Sequence, residues 1–284
     1  MFSLLLSSLT EPFKYTFFNN GLLVATVAGA LCGVLGVFVV LRGMSYIGHG
    51  LSHAVFGGAA ASAVMKLNYF LGAGIWGVVS GIIIGRITRR RLIGADAAIG
   101  VVTTASFAAG LALLNRYGQA KKSIEAVLFG SVLGVGNSDI VAVCVVGVLT
   151  VAVIVALYRQ FVFATFDPDV AQVSGVRVAL IEALLMGLLS LTILVTMRVI
   201  GTLLISALLV IPASIARMLT NSFAKMLWLS PIIGAVSAFV GMNLAYHLDT
   251  SASATIILVG TFMFIVVYAV TGVRGRARIG HVHV

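Results

Sequence analysis

Charge is scarce in this sequence. Acidic and basic residues make up 9% of 284 residues, where a soluble domain carries about 25%. With 61% hydrophobic residues, that shortage excludes an ordinary water-soluble domain. The apolar stretches run on without apolar/polar alternation, which excludes a transmembrane barrel. Only two cysteines occur, Cys32 and Cys144, in separate apolar runs. Neither a disulfide framework nor a cysteine metal pair is expected, and both read as buried thiols. The first ten residues are apolar but lack a basic n-region, and Glu11-Pro12 follows them. No cleavable signal peptide is expected there. A phosphate-cradling Gly-x-x-x-x-Gly-Lys-Ser/Thr loop is also missing.

What remains is an all-α polytopic membrane bundle of about eight or nine spans. A crossing helix needs about 20 apolar residues. Nine spans are read at 20–41, 44–65, 69–85, 97–115, 140–157, 178–197, 199–216, 227–246 and 252–271. Residues 126–136 are apolar but too short to cross and read as a re-entrant or interfacial helix. Residues 1–14 read as an interfacial segment, 15–272 as the transmembrane domain and 273–284 as a basic cytoplasmic tail. The tail carries His281 and His283, a weak metal signal.

The net charge of +10 lies in short inter-helix loops, so the partner it indicates is a lipid bilayer and not nucleic acid. With the N-terminus outside, twelve of the 18 lysines and arginines fall on the cytoplasmic side and six on the outer side, which is the favoured sense. The longest cytoplasmic connection contains Phe166-Asp167-Pro168-Asp169-Val170-Ala171 and ends at Gly175. A capping acid, proline at the first position and an acid in the first turn predict a short helix that glycine stops. It is a linker or a docking knob for a soluble partner.

The second span contains His49 and His53, four residues apart and on one helical face. Counting from Arg42, His53 lies roughly 16 Å deep, near the middle of a core about 30 Å thick. Ionisable residues at that depth are costly and mark functional sites. Neutral imidazoles four apart suit one borderline divalent ion. Packing through inter-helix hydrogen bonds is the other reading. Ser45 and Ser52 are candidate supporting partners, and Gly50, Ala54, Gly57, Gly58 and Ala61 make a small-residue face for close packing. Glu182 reads as the partner of a cytoplasmic-side arginine such as Arg177. His247 and Asp249 follow the eighth span as a possible outer entry site, with exposed loop polars the plainer reading.

The run Leu41-Arg42-Gly43-Met44-Ser45-Tyr46-Ile47-Gly48-His49-Gly50-Leu51-Ser52-His53-Ala54 resembles the signature of the ABC-3 family of metal-ion permeases. Phe166 to Ala171 resembles that family's coupling segment, Gly201 to Ala213 its late core helix, and Tyr246-His247-Leu248-Asp249 its penultimate loop. The resemblance covers about residues 12–270. It implies a type II importer-like fold in a prokaryotic cell membrane, with two permease copies (a homodimer) and two cytoplasmic ATP-binding subunits. An extracytoplasmic metal-binding protein would feed it. Phe166, Asp167, Pro168, Asp169, Ala171 and Gly175 would then dock onto the ATP-binding subunit, within a coupling segment at 165–175. The chain itself would be no enzyme and hold no permanent cofactor, with Zn2+ or Mn2+ as cargo. The family more often has aspartate where this chain has His49. A His/His pair shifts preference towards nitrogen-loving ions, so zinc is expected ahead of manganese or iron. An ion-coupled secondary metal transporter would show several intramembrane carboxylates, and Glu182 alone qualifies. An intramembrane metalloprotease needs an acid beside the histidines, and Gly50, Leu51 and Ser52 supply none.

Overall fold

The computed structural model describes residues 11–89, 92–117 and 134–279. Every regular element among them is helical. A 3₁₀ turn, Glu11–Lys14, precedes α1 (Thr16–Leu41), α2 (Ile47–Val64), α3 (Tyr69–Arg89), α4 (Ala95–Tyr117) and α5 (Asn137–Ala156). Two short helices follow, α6 (Tyr158–Phe166) and α7 (Pro168–Val173). The chain ends in α8 (Val178–Leu219), α9 (Phe223–His247) and α10 (Ala252–Ile279).

The 26 residues of α1 contain no charged side chain. They stop at Arg42-Gly43, where Gly43 has φ +66. The Gly43 N–H donates to the Val40 carbonyl at 3.2 Å and the Met44 N–H to the Val39 carbonyl at 3.0 Å. This is the Schellman stop that glycine permits. It turns the chain back at once into the histidine helix α2. Helix α1 is the inner post of the bundle and packs on α8, α9 and α5. Another side of α8 receives α2 and α3, with α4 against both. The 42 residues of α8 form two spans, because Gly201 takes φ +75 and reverses the chain between them. A right-handed helix does not accommodate that φ, and only glycine adopts it at little cost. Pro231 sits inside α9 and Pro212 inside α8.

Eight helical segments among the described residues are long and apolar enough to cross a bilayer. They match eight of the nine expected spans within a few residues. The exception is α2. Its histidines, glycines and serines lower its apolarity, so it depends on neighbours to shield it. Most of its 18 residues are buried.

Three expectations on the connections change. The fifth span starts earlier, at Asn137, where the Gly136 N–H donates to Asp139 Oδ2 at 3.0 Å. The stretch read as a loop before Asp167 is itself helical, α6. The last helix continues to Ile279, so the basic segment that begins at residue 273 is helical over its first part, with no proline or cap signal to stop it. Residues 1–10, 126–133, His281 and His283 lie outside the described residues.

Candidate functional site

Close packing of α2 sets the position of its histidines. A Cβ on Gly50 would stand 2.6 Å from Ile99 Cγ2, and one on Gly57 would press on the Ser106 carbonyl, both on α4. Bare backbone at these two points lets α2 and α4 approach, as small residues do between membrane helices. The flank of α2 beside this seam then carries His49, exposed, and His53, half-buried.

Their Nε2 atoms are 3.1 Å apart, and the rings meet edge to face with centroids 4.5 Å apart. As neutral imidazoles they hold opposite tautomers, one Nε2–H donating to the other Nε2. Two nitrogens bound to one zinc ion at about 2.0–2.1 Å near the tetrahedral angle stand about 3.3 Å apart. The pair is therefore within a few tenths of an ångström of a shared-ion geometry. Phe107 of α4 braces His53, ring centroids 4.8 Å apart, a contact that sequence spacing gave no hint of. Ser52 does not support the pair. Its hydroxyl is buried and donates back to the Gly48 carbonyl at 2.7 Å, the usual habit of serine within a helix.

Among the described residues no third histidine, cysteine or carboxylate joins the two imidazoles. His247 and Asp249 are exposed at the far end of α9. Asp249 has φ +50, and the Thr250 N–H returns to the Ala245 carbonyl at 3.0 Å. Aspartate tolerates that left-handed position, so a helix stop accounts for it.

The segment around α7 has the predicted ends. Asp167 Oδ1 accepts the Val170 N–H at 2.9 Å, Pro168 occupies the first turn, and Gly175 has φ +86. Ala171 is fully buried, which anchors α7 to the bundle, whereas Phe166, Val170 and Val173 are 60%, 50% and 90% exposed. These apolar side chains are turned outward beyond the candidate spans. Behind α7 lies a polar cavity of about 450 Å³ lined by Arg42, Thr165, Asp169, Arg89 and Glu182, among others. Glu182 accepts from Arg89, not Arg177: Nη2 is 2.8 Å away and Nε 2.9 Å. Arg177 precedes α8 as its N-cap, while α3 packs against the first arm of α8 and delivers Arg89. Arg42 reaches Thr165 with Nε and Nη2, both at 3.2 Å from Oγ1. Burial disfavours its charge, and Glu182 favours it.

The sequence model described as the ABC 3 transport family matches residues 14–271. The manganese transport system membrane protein MntC of Listeria innocua is 34% identical over 255 residues, covering 90% of this chain and 91% of that one. The Haemophilus influenzae protein named "Probable iron transport system membrane protein" is 33% identical, covering 94% and 98%. In the solved structure of PsaBC from Streptococcus pneumoniae in complex with Fab, the matching chain has a TM-score of 0.81 at 33% identity, covering 93% of this chain and 95% of that one. The family match runs from the start of α1 into α10, and on it the chain belongs to the ABC 3 transport family.

Proposed function

We propose that this chain is the membrane permease subunit of an ATP-driven importer of divalent metal ions, and that His49 and His53 bind the ion in transit. It works as two copies in a prokaryotic cell membrane. Each copy engages a cytoplasmic ATP-binding subunit through α7, and an extracytoplasmic metal-binding protein delivers the ion. The observation that carries this reading is the histidine pair, 3.1 Å between Nε2 atoms, on a face of a bundle helix at membrane depth. Two neutral imidazoles bind a dication without cancelling its charge, which suits passage more than storage. ATP hydrolysis belongs to the separate subunit, and the exposed Phe166, Val170 and Val173 fit a docking role for α7.

For the cargo, donor chemistry favours zinc, since nitrogen ligands suit it better than manganese. Relatives named for manganese and iron favour those ions. The two readings separate in an uptake assay with equimolar ions. An ion-coupled transporter would need several intramembrane carboxylates, and Glu182 is already engaged by Arg89 at 2.8 Å. His49→Ala and His53→Ala should each cut metal uptake more than roughly tenfold, the scale on which metal sites respond to lost partners, with the amount of protein in the membrane unchanged. Normal uptake by the double variant would remove the histidines from the path.

A further inference from the structure

We propose that the groove between α1, α5 and α9 binds an anionic phospholipid of the cytoplasmic leaflet. The groove encloses about 940 Å³ and is lined by Val27, Val34, Cys144, Val151, Tyr158 and Trp228 among others. That is at the large end of ligand sites, which span about 300–1,000 Å³. Its wall is almost wholly apolar, as acyl chains require. Its depth fits one leaflet. Along α5 it runs from Cys144 to Val155, about 17 Å at helical rise, against about 15 Å for half of a bilayer core. It stays in the half of the molecule that carries α6 and α7.

The mouth supplies the polar end. Trp228 is 76% exposed and Tyr158 36%, and such aromatics sit at headgroup level. The Tyr158 ring lies 5.9 Å from Phe223, which joins the start of α6 to the first turn of α9. Arg159 follows Tyr158 and Lys225 follows Phe223 by two residues, which puts both cations on the helix turns that carry this mouth, next to the groove and not in its wall. Both are exposed, and neither has an ion-pair partner among the described residues. Basic residues beside helix grooves on the cytoplasmic side select anionic headgroups. A second copy of the chain fits less well, because a two-fold contact here would bring like cations together. The leaflet assignment rests on the reading that α6 and α7 face the cytoplasm.

The test uses the full-length chain reconstituted in nanodiscs of equal parts phosphatidylcholine and phosphatidylglycerol, then extracted and examined by native mass spectrometry. Retained lipid should be enriched in phosphatidylglycerol. Arg159→Gln and Lys225→Gln should lower that enrichment by roughly fivefold for each cation removed, from about 1 kcal/mol per basic residue at the surface. Gly147→Phe tests the apolar part. A Cβ there meets only Val27 Cγ1, at 4.0 Å, so the ring enters the groove without displacing backbone, and lipid of both classes should be lost. Equal retention of the two lipids by the unaltered chain overturns the proposal, as does unchanged lipid on Gly147→Phe. Dissociation of a dimer by Gly147→Phe, with lipid unchanged, would assign the groove to a second copy and overturn it too. Sidedness is read separately with Arg159→Cys and a membrane-impermeant thiol reagent on intact cells. The unaltered chain is the blank, since Cys32 is buried and Cys144 faces the groove. Labelling only after permeabilisation supports the cytoplasmic assignment, and labelling of intact cells overturns the leaflet assignment whatever the lipid result.

Discussion

His49 and His53 differ in their surroundings although they share a helix face. His53 is half-buried and braced by Phe107 at 4.8 Å between centroids. His49 is exposed and touches mainly its partner ring. A braced ligand fixes position, and an open one is free to be exchanged in evolution with less repacking. His49 is also the point at which the resemblance to metal-ion permeases leads one to expect aspartate. An ion bound between the two Nε2 atoms needs both rings neutral with their protons on Nδ1, so the ring that carried its proton on Nε2 gives it up to solvent and takes one on Nδ1, with no net proton released. Changing one nitrogen to a carboxylate oxygen hardens the site and lowers the advantage of zinc over manganese. His49→Asp is therefore expected to raise the manganese-to-zinc uptake ratio severalfold, measured by elemental analysis of cells given both ions. A ratio that does not move would mean that His49 is no ligand.

The stop of α1 does more than end a span. Gly43 turns the chain into α2, and Arg42, one residue earlier, reaches Thr165 on α6 at 3.2 Å. One side chain thus ties the entrance of the histidine helix to the pair of short helices proposed to dock on the ATP-binding subunit. Thr165→Val keeps the shape and removes the acceptor, and a hydrogen bond to a charged group contributes about 1.5–3 kcal/mol. The expected outcome in the reconstituted complex is ATP hydrolysis near the unaltered rate with less metal moved per ATP. An unchanged transport ratio would reduce the link to packing. Local signals made much of this level legible: apolar run lengths, Asp167-Pro168 as a start, and Gly43 and Gly175 as stops. Long-range pairing was not. Arg177 is five residues from Glu182, yet Arg89, 93 residues away, takes the carboxylate because α3 packs on α8. Helix α6 carries no such local signal: Tyr158–Phe166 has no side-chain cap, and its aromatic rings pack on Phe38 and Phe223, contacts that exist only once the bundle is assembled.

At the scale of the molecule, the described residues leave the histidine pair open on one side. His49 is exposed, and Tyr46, three residues before it on the same side of α2, is 65% exposed. Lipid tails offer no partner to an imidazole, so hydrocarbon is a poor cover for this face. A second copy meeting it across a two-fold axis would enclose both pairs and supply donors that one chain lacks, since no third ligand group stands near the histidines. The groove between α1, α5 and α9 lies on a different side of α8 from α2, so a dimer formed through α2 leaves it to the bilayer. A nitroxide placed on Tyr46→Cys should then give one sharp intermolecular distance by double electron–electron resonance in the reconstituted protein. A label on Val148→Cys, 71% exposed on the groove side, should give a longer or weaker signal. No dipolar coupling at residue 46, or a shorter distance at residue 148, would place the contact between copies elsewhere and leave the ion path without the shelter that its histidines require.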